Sequence, residues 1–282
     1  MKTIGFIDYF LDEWHANNYP QWIRESAVSG WGVKYGYAMQ DAPAPGLTTD
    51  AWCAKFGVTK CSSMEEIIDR SDALIVLSPN NPEQHEALCK LPLASGKPVY
   101  VDKTFAPDLA AAKRIFAMAE AGRTPMFSSS ALRYATEVDE IKTKVPRADL
   151  NFVATRGGGK FEIYIIHQLE MIVSLLGPDA KRVMSVGVPE APSLVIDYGK
   201  ARATATMVPG GFGLAAQYDA DKGTVFGDVK SVFFVNLIAT MLRFFEDRKI
   251  PVAKEETLAI MALIDAGKKA VAKPDTWIAT ER

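Results

Sequence analysis

Short apolar runs alternate with helical patterns through the first part of the chain, which is typical of a parallel sheet covered by helices. The pattern predicts strands at Thr3–Ile7, Val33–Met39, Ala73–Leu77, Val99–Val101 and Pro125–Phe127. Helices are predicted between them, near residues 20–29, 49–56, 82–90 and 108–121. Ser62 and Glu65 have capping-box spacing ahead of an apolar pair, which supports a further helix start there.

The pattern changes after about residue 125. A helix is predicted near residues 133–145, then a strand over 148–156, a Gly-rich turn and another helix. Several strand-like runs separated by short turns follow, which favours antiparallel pairing. Helices near 231–248 and 254–272 end the pattern. We therefore predict an α/β protein with a doubly wound parallel sheet in residues 1–125 and an α+β domain with an open, mostly antiparallel sheet in residues 126–282.

Composition narrows the class of partner. The chain has 282 residues, and its 32 basic and 34 acidic side chains are interspersed, so no nucleic-acid or membrane-surface footprint is visible. No apolar run has the roughly 20 residues that a membrane span needs. The three cysteines lack metal-ligand spacing, and the three histidines lie far apart. We expect a cytoplasmic protein with a small-molecule partner and no metal site.

The first strand is followed by a turn that lacks glycine. In a dinucleotide-binding turn, G-x-G-x-x-G gives close approach to the pyrophosphate, but here Asp8, Phe10 and Glu13 occupy the three glycine positions. Two like charges about 5 Å apart repel by roughly 3 kcal/mol at an effective dielectric constant of about 20. Carboxylates here therefore disfavour ordinary phosphate binding.

The same stretch predicts an unusual loop. Asn17, Asn18 and Pro20 form a plausible helix start, which leaves residues 8–19 as a long loop at the carboxyl end of a parallel strand. Ligands of open α/β sheets bind at that edge. Aromatic faces beside carboxylates, such as Trp14 beside Glu13, suit a polyol or a cationic ligand. The alternative is a surface loop that only covers the sheet edge.

Three later motifs resemble the Gfo/Idh/MocA family, named after glucose-fructose oxidoreductase and inositol dehydrogenase. LIVLSPNNPEQHEALCKLPLASGKPVYVDKTF is similar to the family's third strand, proline-rich loop and Glu-Lys-Pro strand end, with Asp102, Lys103 and Thr104 as that tripeptide. SSSALRYATEV is similar to the segment that carries an arginine, here Arg133. GGGKFEIYIIHQLEMIVSLLG is similar to the glycine run and catalytic helix, with His167 as the histidine. The resemblance covers nearly the whole chain.

The resemblance implies a Rossmann-like domain, a C-terminal domain whose open sheet forms a homo-oligomer interface, and a site in the cleft between domains. It implies NAD- or NADP-dependent hydride transfer at a hydroxyl carbon of a sugar or cyclitol. Lys103 and His167 would be the catalytic residues. The substrate side would be formed by Trp14, Lys103, Arg133, Glu162 and Tyr164. The cofactor side would be formed by Asp8, Tyr9, Phe10, Asp41, Ser78, Pro79, Asn80, His85 and Asp102.

Four departures from the family pattern bear on activity. The turn glycines are missing, Ile163 stands where the family has an aspartate before the histidine, Asp102 shortens a glutamate, and Thr104 replaces a proline. Two hypotheses remain open: an oxidoreductase that holds its cofactor unusually, and a non-catalytic binding or regulatory relative that has lost dinucleotide binding. Lys103 as a solvated lysine and His167 as a buried structural histidine remain the alternatives for the two catalytic candidates.

Overall fold

The computed structural model describes residues 1–219 and 222–281. The chain divides into two compact units, and each is described by itself. The first contains Met1–Ser129 and Leu237–Ala253, and the second contains Ser130–Asn236 and Lys254–Arg282. The division falls after Ser129 rather than after residue 125, and it returns a late segment to the first unit. A linear pattern of apolar residues does not show that return.

The first unit is built on a parallel sheet, as predicted. Its six strands have the spatial order β3-β2-β1-β4-β5-β6, and every pair is parallel. They are β1 (Lys2–Asp8), β2 (Trp31–Ala38), β3 (Thr59–Lys60), β4 (Ala73–Val76), β5 (Val99–Val101) and β6 (Met126–Ser128). The central strands β1, β4 and β5 are apolar and almost wholly buried, because helices cover both faces.

Helices connect these strands, and the first of them begins earlier than the sequence predicts. They are α1 (Trp14–Glu25), α2 (Thr49–Phe56), α3 (Met64–Arg70), α4 (His85–Cys89) and α5 (Leu109–Ala121). The long loop predicted over residues 8–19 is wrong, because Glu13 caps α1 and Pro20 lies inside that helix. The predicted capping box is also displaced by one residue, since Ser63 caps α3 through the Glu66 N–H.

The second unit has a mixed sheet with helices packed on it. Its order is β12-β11-β7-β10-β9-β8-β13, and among the described strands only β7 and β10 pair in parallel. The elements are α6 (Thr136–Lys144), β7 (Leu150–Gly157), α7 (Phe161–Leu176), β8 (Arg182–Val188), β9 (Ala191–Asp197), β10 (Arg202–Met207), β11 (Gly213–Tyr218), β12 (Lys222–Phe226), α9 (Lys254–Val271) and β13 (Ile278–Ala279). The helix α8 (Phe233–Asp247) begins in this unit, but from Leu237 onwards it belongs to the first unit. Burial alternates along β7 and β10, so the sheet has one covered face and one more open face. The prediction of a mostly antiparallel sheet is confirmed.

Candidate functional site

Five ionisable side chains of the first unit meet at the carboxyl ends of β1 and β5. They are Asp8, Glu13, His15, Asp102 and Lys103, and none is more than 9% exposed. β4 is the only strand between β1 and β5, so residues following these two strands reach one edge of the sheet. Buried charged groups with specific partners at such an edge are typical of functional sites.

Glu13 occupies the N-terminus of α1. Its Oε2 atom accepts the His15 N–H at 2.8 Å, and its Oε1 atom accepts the Ala16 N–H. These are N–H groups that an α-helix leaves without an intrahelical partner. Burial raises the pKa of Glu13 to about 7, although these bonds and the charge of His15 oppose the rise. The turn between β1 and α1 is therefore closed by one of its own carboxylates.

Asp8 is the second carboxyl group of the turn. Its Oδ1 atom accepts the Tyr9 N–H at 2.7 Å, whereas its buried Oδ2 atom has no hydrogen-bond partner among the described residues. Burial raises the pKa of Asp8 well above its usual range, and the neighbouring charge of Glu13 adds to the rise. Asp8 is therefore favoured in its neutral form.

Asp102 ties β5 to α1. Its Oδ2 atom pairs with Nδ1 of His15, and its Oδ1 atom accepts the Lys103 N–H at 2.8 Å and the Tyr100 hydroxyl at 3.2 Å. Burial opposes ionisation, but His15 and then Lys103 lower the pKa of Asp102. The Tyr19 ring stacks on His15 with centroids 5.1 Å apart. These contacts hold the end of β5 in one arrangement.

Lys103 lies immediately beyond that anchor. It is 8% exposed, and its Nζ atom donates to the Pro79 carbonyl at 3.4 Å. Burial lowers its pKa, against the opposing charges of Asp102 and Glu13. The peptide bond between Lys103 and Thr104 is cis. The solvated-lysine alternative is wrong, because this ammonium group is buried.

The other predicted cofactor residues lie apart from this cluster or already have partners. Asp41 is exposed and accepts the Thr49 N–H at 2.7 Å, near the start of α2. His85 is fully buried, and its ring nitrogens lie 2.5 Å from the Leu77 carbonyl and 3.0 Å from the Phe105 carbonyl. His85 therefore holds the β4 loop, and burial lowers its pKa.

The loop after β4 is well ordered by its own contacts. The Ser78 hydroxyl donates to the Asn81 carbonyl at 3.3 Å, while Pro79 is buried and Asn80 is exposed. Tyr9 and Phe10 are half-buried, with ring centroids 5.8 Å apart. Cofactor contact by these residues stays a prediction.

A dinucleotide does not fit the β1–α1 turn as the structure has it. The helix N–H groups that would bind a pyrophosphate are bonded to Glu13, and the buried carboxyl of Asp8 stands at the first glycine position. Phe10 stands where the backbone has to approach the phosphate most closely. The residues of this turn therefore provide no phosphate cradle.

The second unit contains the predicted catalytic helix. Nδ1 of His167 lies 2.7 Å from the Ser130 hydroxyl, and its ring contacts Tyr164 and Phe212 at centroid distances of 5.6 and 5.4 Å. Ile163 places no carboxylate one turn before it, as the sequence indicates. Glu162 and Tyr164 are exposed on the same helix. A role for these three polar residues in a reaction stays a prediction.

Arg133 is engaged within the second unit. It is 5% exposed, and its guanidinium donates to Glu170 and to Glu256, at 2.6 Å in each case. Glu170 also accepts the Ser130 N–H at 2.9 Å. Two carboxylates therefore neutralise the charge that substrate binding would use, which favours a structural role for this arginine.

Sequence reasoning did not assign roles to Glu13 as a cap, to His15 or to Glu170. A carboxylate directly before an amphipathic helix was a usable signal for Glu13, since acidic N-caps are common. The partners of His15 and Glu170 lie 87 and 37 positions away along the chain, and one sequence carries no signal for those pairs. Among the described residues, no group of three or more His, Cys, Asp or Glu could hold a metal ion.

Comparison with known proteins supports the family resemblance. The model of the Gfo/Idh/MocA oxidoreductase family, with an NAD-binding Rossmann fold, matches residues 42–130. The match begins after the β1–α1 turn, which is the part of the chain that departs most from the family pattern. No curated protein matches the sequence.

Solved structures share the fold at low sequence identity. A probable dehydrogenase from Thermotoga maritima has a TM-score of 0.78 and 13% identity, with 99% of this chain and 98% of that chain covered. A putative myo-inositol dehydrogenase from Sinorhizobium meliloti 1021 has a TM-score of 0.77 and 14% identity, with both chains fully covered. An Agrobacterium radiobacter oxidoreductase in complex with NAD+, L-tartaric acid and magnesium has a TM-score of 0.76 and 12% identity, with 99% and 98% covered.

Proposed function

From the premise that this chain is a divergent member of the Gfo/Idh/MocA oxidoreductase family, we propose that it acts on a sugar- or cyclitol-like alcohol, with Lys103 as the proton-transferring residue. The observation that carries this proposal is the buried ammonium group of Lys103, which lies at the carboxyl end of β5 and has a lowered pKa. A lowered pKa increases the fraction of neutral amine near neutral pH, and a neutral amine can accept a hydroxyl proton.

The surroundings of Lys103 are suited to positioning. The Asp102 carboxylate accepts the Lys103 N–H, and the same carboxylate is held by His15 and Tyr100. The backbone at Lys103 is therefore fixed by side chains that are themselves buried, which limits how far the ammonium group can move. His167, in the second unit, is the second proton-transferring residue of this proposal.

The substrate class rests on the aromatic and hydroxyl-binding groups. The Trp14 side chain is 53% exposed at the start of α1, and its ring contacts Trp22 at a centroid distance of 5.6 Å. Exposed indole faces pack on the apolar faces of sugars and cyclitols, while nearby polar groups bind their hydroxyls. One relative is described as a putative myo-inositol dehydrogenase, which agrees with this class.

The residues of the β1–α1 turn do not bind a nicotinamide cofactor in the usual way. NAD or NADP would have to be held otherwise than in a glycine turn, through Ser78–Asn81, Lys103 and backbone groups. One relative was crystallised with NAD+. A cytoplasmic location, with no nucleic-acid or membrane partner, also remains part of the proposal. In the described part of the chain, no helix has the length and apolar character of a membrane span.

Homo-oligomerisation through the C-terminal sheet is part of the same proposal. The more open face of that sheet carries a concavity of about 410 Å³. Its lining is mostly small, hydroxyl-bearing or apolar, as at Ala154, Thr204 and Leu214, and it includes one charged residue, Arg156. A face of this composition is suited to close packing against another sheet.

A second candidate function is a binding or regulatory relative without turnover. The Glu13 cap favours this second function, because the Glu13 carboxylate occupies the N–H groups that would bind a phosphate and leaves the fold intact. The two candidates differ in their expected response to nicotinamide cofactors.

The experiment that tests the proposal is a titration of the purified protein with NADH and NADPH, followed by nicotinamide fluorescence and calorimetry at low and moderate salt. Micromolar binding, followed by turnover of a polyol in a substrate screen, supports the oxidoreductase. No binding up to millimolar cofactor, together with calorimetric binding of a polyol, supports the binding relative. Lys103→Met is the matched variant, and an unchanged response in that variant would contradict the role of Lys103.

A further inference from the structure

The N-terminus of α1 already binds an anion, and that anion belongs to the chain. The carboxylate of Glu13 accepts the N–H groups of His15 and Ala16, and only 9% of the residue is exposed. The partial positive charge of a helix N-terminus favours a negative group, so this contact satisfies the property that a phosphate would otherwise exploit.

A phosphate group would meet two obstacles at this position. It would have to displace the Glu13 carboxylate from both N–H groups. It would then lie beside Asp8, whose Oδ2 atom is buried and has no hydrogen-bond partner among the described residues. An ionised Asp8 would repel the phosphate strongly in this poorly solvated site, and a neutral Asp8 still places a buried carboxyl group at the first glycine position.

A ligand with hydroxyl or ammonium donors is not repelled by these carboxyl groups and can donate hydrogen bonds to them. The buried Asp8 Oδ2 atom has no hydrogen-bond partner among the described residues. A nearby donor or positive charge would lower the pKa of Asp8 and of Glu13, and the ionised Oδ2 atom could then accept a hydrogen bond from the ligand. The nitrogen atoms already present in the cluster have partners, since His15 pairs with Asp102 and Lys103 donates to the Pro79 carbonyl.

We propose that Glu13 is a specificity-determining residue whose carboxylate fills the anion position of α1 and, together with Asp8, selects unphosphorylated hydroxyl- or ammonium-bearing ligands over phosphorylated ones. The exclusion of phosphate follows from the turn alone. The choice of a sugar- or cyclitol-like alcohol as the accepted ligand rests on the proposed function.

Variants that remove the carboxyl groups of Glu13 and Asp8 test whether these groups exclude phosphate. Glu13→Ser removes the carboxylate but keeps a good neutral N-cap, and the double variant Asp8→Gly/Glu13→Ser removes both carboxyl groups. Asp12→Asn is the matched control, because it removes one charge from the same turn while Asp12 contacts Leu47 and Asn17 rather than the helix N–H groups at 15 and 16. The probes are inorganic pyrophosphate and NADH, measured by calorimetry on variants whose circular dichroism and melting curves show a folded protein.

We expect Glu13→Ser to bind pyrophosphate at least tenfold more tightly than the wild-type protein, the double variant to bind more tightly still, and Asp12→Asn to behave as wild type. The proposal is overturned if the wild type binds pyrophosphate as tightly as folded Glu13→Ser, or if Asp12→Asn gains as much affinity. Failure of the proposed function would be seen separately, as unchanged polyol binding in Lys103→Met, and it leaves the pyrophosphate comparison intact.

Discussion

His15 is the second residue of α1, and its Nδ1 atom pairs with Oδ2 of Asp102, the residue that follows β5. The pair joins the turn after the first strand to the strand end that carries Lys103. Because both side chains are almost wholly buried, a change in one is transmitted to the other with little screening by water. The pair therefore couples the charged groups of the β1–α1 turn to those at the end of β5.

Substitution of Lys103 separates function from stability. Lys103→Met should lower polyol binding at least tenfold, or turnover at least a hundredfold, while the melting temperature stays equal or rises. The reason is that burial lowers the pKa of this lysine, so the charged form opposes folding below the usual lysine pKa. Calorimetry and thermal melting provide the two measurements. A large fall in stability together with unchanged binding would assign Lys103 a structural role instead.

The carboxyl group of Glu13 should make stability pH-dependent in a defined direction. The pKa of Glu13 is raised from 4.5 to about 7 in the folded protein. The stabilising contribution of its protonated form to the free energy of unfolding is therefore fully present below pH 4.5 and is lost as the pH rises through 7. Glu13→Gln should therefore gain stability over the wild type between pH 5 and pH 8, by up to about 3 kcal/mol.

Urea unfolding at several pH values measures this difference. Glu162→Gln, which alters an exposed glutamate in the first turn of α7, is the control and should change stability by less than about 0.5 kcal/mol at every pH. A difference between Glu13→Gln and wild type that does not vary with pH would show that Glu13 is not buried as an acid.

Arg133 should prove essential for the stability of the second unit. Arg133→Met leaves the carboxylates of Glu170 and Glu256 without this partner, and loss of one member of a buried ion pair costs about 3–5 kcal/mol. Arg147→Met, which removes a half-exposed partner of Glu256, should cost less than about 1 kcal/mol. Denaturant titration compares them. Equal effects of the two variants, or ligand binding lost at full stability, would instead point to substrate contact by Arg133.

The open sheet face should control assembly if the oligomer prediction holds. Thr204→Arg places a long charged side chain in the concavity lined by Ala154 and Leu214, so it should shift the protein towards monomer. Burial of an unpaired charge in an interface is unfavourable by several kcal/mol. Sedimentation velocity of the variant and the wild type measures the shift. A wild type that is already monomeric at high concentration would remove the basis for this prediction.

Predictions from the sequence succeeded where the signal is local and periodic. The alternating pattern identified the parallel sheet of the first unit and the mostly antiparallel sheet of the second, because strand and helix periods determine which residues face a core. It failed at residues 8–19, where Asn17, Asn18 and Pro20 outweighed the acidic residue that caps α1. It also placed the α3 cap at Ser62 instead of Ser63.

The sequence by itself determined the fold class, the missing glycines and the position of Lys103 at a strand end. Only the tertiary structure decided that Glu13 caps the helix that a phosphate would need, that His15 pairs with Asp102, and that Arg133 is bonded to Glu170 and Glu256. The physical reason is separation along the chain. Partners 87 and 123 positions apart meet only when strands and helices pack, and the burial that shifts their pKa values exists only in the packed state.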